Sequence, residues 1–484
     1  MEEIVFQSAT AMARAIRDRQ ISSEEVVDAC LRRISAVNPQ LNAVVQLPAD
    51  AALQQARAAD AAIARREIIG PLHGVPMTIK DTFDTAGVIS TAGTLGRSAF
   101  VPTEDAVAVA RLRAAGAILI GKTNVPELAL APETDNLVYG CTNNPYDLSR
   151  TPGGSSGGEG SIIAAGGSPI GLGSDCGGSI RIPANFCGIA GIKPTAGRVS
   201  RTGHFPPVTG VMNRLWHVGP LARFVEDLIL ALRVVSGVDG RDPVLVPMTL
   251  GDPTTVALNG LRVAFYTDNG ILSPTSETAE VVKKAVEVVS KVVAHVEEDR
   301  PSGIEQTYDI MWGLASAERG ADVEDALRTA GTTETHRYLK RFQQAQLATE
   351  PMTPAGFGAL MSRWDMFCAA MIRFIESYDV IICPVVAFPA QRHGFILEKD
   401  KDLGFSYCSS YNLTGWPAVV VRGGTSPEGL PIGVQVVARP WREDVAFAVA
   451  QYIETALGGW RPPSFSLSDA ERVKCGTGPT AARS

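Results

Sequence analysis

The residues best placed to do chemistry crowd into one stretch. Residues 151–197 are rich in glycine and serine, and only Glu159, Asp175, Arg181 and Lys193 carry charge. Three chemistries use such loops. A phosphate cradle needs GxxxxGK[ST] after a strand; "GGSSGG" has no following lysine, and in "GIAGIKPT" Pro194 stands where Ser or Thr is required. A flexible linker would lack the apolar runs "SIIAA", "SPIGLG" and "ANFCGIAGI". A serine nucleophile on a strand-to-helix turn is matched literally by GxSxG at 153–157. That arrangement also needs an acid and a histidine downstream. His204, His217, His295, His336 and His393 follow, none in a recognisable context, so spacing alone leaves a triad assembled in space open.

"GSDCGGSIR" offers a different serine. Cys176, Gly177, Gly178 and Ser179 can aim consecutive backbone N–H groups at one point, and such a nest stabilises an oxyanion. Ser179 would then be a nucleophile beside its own oxyanion hole. A serine needs a base, and a lysine can serve if burial lowers its pKa toward the working pH.

Three quoted patterns, GxPxxxKD (Gly74, Pro76, Lys80, Asp81), PGGSSGG (152–158) and GSDxGGSIRxPAxxxGxxGxKPTxGR (173–198), resemble the amidase signature family. Weaker likeness extends to "GPLARFVEDL" and "GWPAVVVRGG", and the glycine-serine block looks most like the fatty acid amide hydrolase branch, without the N-terminal membrane helix of its animal members. The resemblance implies a Ser-Ser-Lys triad: Ser179 as nucleophile, Ser155, 24 residues upstream, as bridge, and Lys80 as base. It also implies a cis peptide before the bridging serine, where Gly154 removes a side-chain clash. Cys176 would act through its N–H and not its thiol. Asp175 and Arg181 read as a pair that stiffens the nest, Ser156 as a turn residue and His73 as structural. The bland alternatives are a helix cap for Ser179, a turn residue for Ser155 and a surface lysine for Lys80. No metal or cofactor is expected.

The rest of the chain must position these groups. At 484 residues, length alone would allow about three domains of ~150 residues. No linker interrupts the pattern, so the expectation is one domain over 1–465 and a loosely ordered tail over 466–484. The first 66 residues read as mostly helical, with a capping box from Ser22 to Glu25 and a stripe of Val27, Cys30, Leu31, Ile34 and Val37. "PMTIKDTF", "AILIGKT", "GLRVAFYTD", "YDVIICPVV", "WPAVVVRGG" and "LPIGVQVVA" read as strands. Helices are expected over "TEDAVAVARLRAAGA", with Glu104 and Asp105 in its first turn, and over 276–297, 355–377 and "REDVAFAVAQYIETAL". Alternating strand and helix points to an α/β fold. The resemblance sharpens this to an α/β/α single domain with a large twisted mixed sheet covered by helices.

The net charge of −7 argues against a nucleic-acid or anionic-membrane binder. Eight scattered cysteines without CxxC fit free thiols in a reducing, cytoplasmic setting. No signal peptide or spanning segment is recognisable. The expected function is hydrolysis of small amides, and of carbamates and esters by the same acyl transfer, by a monomer or homodimer. The competing readings are the glutaminase subunit of a tRNA-dependent amidotransferase and an idle binding protein on the same scaffold. The pocket is expected from 125–142, 204–217, 300–375 (a lid or insertion) and 404–416. Phe205, Trp216, Trp312, Met361, Phe367, Met371 and Trp416 hint at a hydrophobic acyl or aryl group.

Overall fold

A computed structural model describes residues 2–207, 209–398 and 400–464; the tail expected over 466–484 lies outside them. The strands are β1 (Val44–Gln46), β2 (Pro76–Lys80), β3 (Ile118–Thr123), β4 (Ile170–Asp175), β5 (Ala190–Lys193), β6 (His217–Ala222), β7 (Arg262–Phe265), β8 (His295–Glu298), β9 (Val380–Pro384), β10 (Ala418–Thr425) and β11 (Pro431–Ala438). They form one 11-stranded sheet in the order β1-β3-β2-β4-β6-β5-β10-β11-β9-β7-β8. The sheet is mixed: β2 lies parallel to β3 and β4, and β7 to β8 and β9, whereas β4 with β6 and β10 with β11 are antiparallel.

The reason the strands read as apolar runs is that both faces are covered. Alternate residues of one strand enter different cores: Ile381 and Cys383 of β9 pack in one, Val380 and Ile382 in the other. The first core also takes side chains from helices Ser23–Leu41, Gly157–Ala164, Arg181–Phe186, Thr307–Ser316 and Pro354–Ile375. The second takes Ala9–Arg17, Val107–Ala114, Val225–Val235, Ser276–Val289 and Glu443–Leu457. Period-2 alternation therefore produces three layers, α/β/α.

The helical start holds: Ser22 and Glu25 form the reciprocal capping box, and Val27, Cys30, Leu31, Ile34 and Val37 are buried along one stripe. Two boundaries differ. The helix expected over 276–297 ends at Val289, and His295–Glu298 instead become β8, paired with β7. The helix expected from Thr103 starts at Val107, so Glu104 and Asp105 precede it. Asp105 instead accepts hydrogen bonds from the Ala86 N–H and the Arg113 guanidinium, which pins the approach to the helix. The segment expected as a lid or insertion over 300–375 folds into four helices, Thr307–Ser316, Ala321–Ala330, Arg337–Ala348 and Pro354–Ile375, a hood on one face; the last is the helix expected over 355–377. Among the described residues no helix is long and apolar enough to cross a membrane.

Candidate active site

Parallel pairing of β2 with β4 brings their C-terminal ends, Lys80 and Asp175, to the same edge of the layer. Ser155 and Ser179 sit in the turns just before helices Gly157–Ala164 and Arg181–Phe186. The Ser156 N–H donates to the Ser179 carbonyl at 3.2 Å, lacing the two turns together.

Lys80 is fully buried. As an ammonium, its Nζ donates to Ser155 Oγ at 2.7 Å, to Ser174 Oγ at 3.0 Å and, more weakly, to the Ser174 carbonyl at 3.4 Å. Burial pushes the amine down to about 7, against the pull of Asp175 and Glu159, which favour the charged form. Burial thus brings the neutral amine into play near neutral pH. Ser155 follows a cis peptide bond from Gly154. Gly154 is demanded by close approach, because a Cβ there would lie 2.7 Å from the Ala131 carbonyl oxygen and 2.8 Å from the Glu133 nitrogen.

Ser179 is half-buried, and its hydroxyl makes no hydrogen bond among the described residues. It faces a cavity of about 380 Å³ together with Cys176 and Gly177. The N–H groups of Cys176, Gly177 and Ser179 have no backbone partner among the described residues. The fourth expected donor is a correction: the Gly178 N–H donates to Asp175 Oδ1 at 2.9 Å. Gly178 takes φ +119°, which turns its peptide toward that buried carboxylate. Burial pushes the Cys176 thiol far above its ordinary range, so sulfur stays protonated.

Asp175 and Arg181, both fully buried, form a two-point pair at 2.9 Å for Nε to Oδ2 and 2.9 Å for Nη2 to Oδ1. Asp175 also accepts from the Ile180 N–H at 3.2 Å and from Asn412 Nδ2 at 2.9 Å. Arg181 reaches across to Gln435 Oε1 at 2.6 Å and the Cys408 carbonyl at 2.9 Å. Burial alone would raise the Asp175 carboxyl; Arg181 overrides this and holds it well below the usual carboxylate range. The pair clamps the turn that carries Ser179.

Other parts were not legible from the motifs. Ser174 bonds Lys80 on one side and His204 Nε2, at 3.0 Å, on the other. Glu159 is fully buried beneath the lysine, accepts from Thr78 Oγ1 at 2.6 Å and Thr123 Oγ1 at 3.0 Å, and is pushed by burial up to about 8. Among the described residues no histidine bonds Ser155 or Ser179, which removes the support for the GxSxG reading. His73 is structural, taking the Ile69 N–H and meeting the Ala59 carbonyl. Ser156 is buried in its turn.

All four expected segments line the cavity. Of the seven large residues singled out, Trp216 and Trp312 line it. Phe367, Met371 and Trp416 are core, Met361 packs against that core, and Phe205 belongs to a small cluster with Leu327 and Leu339. Met311 and Phe342 line the cavity and carried no signal in the sequence.

The family model described as "Amidase" matches residues 25–446. Fatty-acid amide hydrolase 2-A of Danio rerio is 35% identical, with 95% of this chain and 90% of that protein covered. A glutamyl-tRNA(Gln) amidotransferase subunit of Chloroflexus aurantiacus is 34% identical, with 92% and 95% covered. The solved structure of 6-aminohexanoate cyclic dimer hydrolase with its substrate superposes with a TM-score of 0.85 at 30% identity, covering 95% of this chain and 99% of that one. The chain therefore belongs to the amidase family and is a hydrolase acting on carbon–nitrogen bonds other than peptide bonds.

Proposed function

We propose that this enzyme cleaves amides of small hydrophobic or aryl substrates through an acyl-enzyme on Ser179, with Ser155 as proton bridge and Lys80 as base. The observation that carries the reading is the 2.7 Å contact between Ser155 Oγ and a buried lysine held at about 7. Neutral Lys80 takes the Ser155 proton while Ser155 takes that of Ser179. Ser179 Oγ bonds the carbonyl carbon, and the oxygen's new charge rests on the N–H groups of Cys176, Gly177 and Ser179. As the C–N bond breaks, the lysine proton returns through Ser155 to the leaving nitrogen, which could not depart as an anion. Water then attacks the acyl-enzyme, giving its proton to the same relay, and Ser179 is released protonated. Carbamates and esters fit the same sequence of steps.

The cavity supports apolar substrates: Trp216, Met311, Trp312, Phe342, Ile396 and Phe405 line it, and Arg341 and Asp402 are the charged side chains among its lining. The described cysteines are free thiols, in keeping with a cytoplasmic enzyme. A second reading rests on the Chloroflexus relative: a glutaminase subunit that feeds ammonia to a tRNA-binding partner. One experiment separates them. Purified protein is screened against anilides, fatty amides, carbamates, p-nitrophenyl esters and glutamine, with a fluorophosphonate mapped by mass spectrometry. Turnover of apolar amides without a partner and labelling at Ser179 are expected. Glutamine as the sole substrate would favour the second reading, and a label elsewhere would sink the triad.

A further inference from the structure

His204 has no place in the proton relay, yet it reaches that relay through one hydroxyl, that of Ser174. It is buried, forms a β-bridge with Phe83, three residues beyond Lys80, and packs edge-on against Phe83 and Trp216 with centroids 5.1 and 5.2 Å away. Its Nδ1 lies 3.2 Å from the Pro206 carbonyl, which can only accept, so Nδ1 carries the hydrogen. Burial, with Lys80 nearby, pushes the ring down to about 3, so it is neutral and Nε2 is an acceptor.

The neighbouring hydrogens are then fixed in turn. The Ser174 hydroxyl has one hydrogen, and Nε2 at 3.0 Å requires it. Ser174 Oγ therefore faces Lys80 Nζ, also at 3.0 Å, as an acceptor. A neutral lysine has two N–H bonds. Ser174 Oγ and the Ser174 carbonyl take them, which leaves the lone pair toward Ser155 Oγ. We propose that His204 is a positioning residue: by holding the Ser174 hydroxyl hydrogen, it keeps that hydroxyl off the Lys80 lone pair and reserves the lone pair for the Ser155 proton. This rests on the Lys80–Ser155–Ser179 reading.

The other ionisable groups around the pair have partners of their own. Asp175 acts on Lys80 from β4 but is paired with Arg181; Glu159 acts from helix Gly157–Ala164 but is bonded to Thr78 and Thr123. Arg201 acts on His204 but is paired with Asp242. Without an acceptor at the Nε2 position, the Ser174 hydroxyl turns and donates to the lysine lone pair. That bond stabilises the neutral amine, so the Lys80 pKa falls and the acidic limb of the rate profile moves to lower pH. It also blocks the lone pair, so kcat falls. Loosened packing would act with the opposite sign, because admitted water favours the ammonium ion and moves the limb to higher pH.

The test compares two amides of different reach in the full-length enzyme, with a p-nitroanilide as probe. Glutamine places its amide near Nε2; asparagine stops near Nδ1. His204→Asn is expected to lower kcat about tenfold, the worth of one buried hydrogen bond, and to shift the acidic limb downward. His204→Gln should retain at least about threefold more kcat than His204→Asn. In a Ser174→Ala background, His204→Asn should cost less than about twofold further, because its effect passes through Ser174. Equal losses in Gln and Asn variants, an unmoved or upward limb, or the same loss in the Ser174→Ala background would each overturn the assignment. Should His204→Asn fail to fold, a folded His204→Gln with less than about a tenth of wild-type kcat does so too. Fluorophosphonate labelling of wild-type Ser179 is scored separately, so a failed triad is told apart from a failed His204.

Discussion

Two regions meet at the cavity and are built on opposite principles. The seam from residue 151 to 198 is buried almost throughout, and its working parts are backbone N–H groups, small side chains and one clamped ion pair. The hood over 307–375 is made of amphipathic helices, and it leaves large apolar side chains in water: Met366 is 63% exposed and Leu347 50%. The tight turns of the seam tolerate little change of residue type, since a Cβ at Gly154 would collide with neighbouring main chain. A helical wall tolerates much, because any side chain of similar size still closes the cavity. On the proposed function, chemistry is held by the seam and selection by the hood.

The largest expected effects lie in the seam. Ser179→Ala should cut kcat/KM by about 10⁴-fold or more. If substantial turnover remains while Ser155→Ala abolishes it, the roles of the two serines are exchanged. Lys80→Met should cost several orders of magnitude and erase the acidic limb, which in the wild type rises through about pH 7 because the neutral amine is the active form. The same variant has a stability signature. Lys80 is held below its unfolded value, so the unfolded chain binds the extra proton between the two pKa values, and that proton opposes folding at neutral pH. Lys80→Met should therefore melt at or above the wild-type temperature while inactive. A limb that survives in it would remove Lys80 as base.

Asp175→Asn comes next. It leaves Arg181 buried without its carboxylate, at a cost of about 3–5 kcal/mol in denaturant unfolding. The Asp175 pKa is depressed in the fold, so this stabilisation is complete above the unfolded value of about 4 and is lost only as pH falls through the lower folded value. The difference between variant and wild type should be flat from about pH 5 to 8. A difference that grows across that window would point to another titrating group.

The same contrast explains what could be read in the chain. Seam residues sit in patterns whose spacing is dictated by local turns, so Ser179 and the Asp175–Arg181 pair stood out there, whereas Ser155 as bridge and Lys80, outside the seam, came only with the family resemblance. Roles assigned by tertiary contact did not. His204 lies 30 residues beyond Ser174, and nothing local joins them. Nor can a nest motif tell which N–H a nearby carboxylate will take, and Asp175 takes that of Gly178. The 276–297 stretch kept helical spacing because Val292, Val293 and Val296 continue the stripe of Val282, Val286 and Val289. Pairing with β7, a non-local interaction, made an edge strand of its end. In the hood, a tryptophan facing the cavity and a phenylalanine facing the core are alike in one dimension. Trp312 and Phe367 differ only in which helix face meets which neighbour.

The smallest expected effect tests whether the two regions are separable. Phe342 stands between the main cavity and a second one of about 430 Å³, since it lines both, and packs edge-on against Trp312 at 5.9 Å. The second cavity is apolar around Leu128, Val323 and Phe357. Phe342→Ala should merge the two spaces. Substrates with a longer acyl or aryl arm should gain severalfold in kcat/KM relative to short ones, about 1 kcal/mol of selectivity. Phe342 is only half-buried, so the cost in stability should fall below that of a fully buried phenylalanine, about 3–5 kcal/mol. The decisive reading is the pH profile, because Phe342 makes no hydrogen bond to the relay. A changed substrate ratio with the acidic limb still near pH 7 separates selection from chemistry. A limb that moves with the substrate ratio would mean that the hood controls the water around Lys80, and that the two regions work as one.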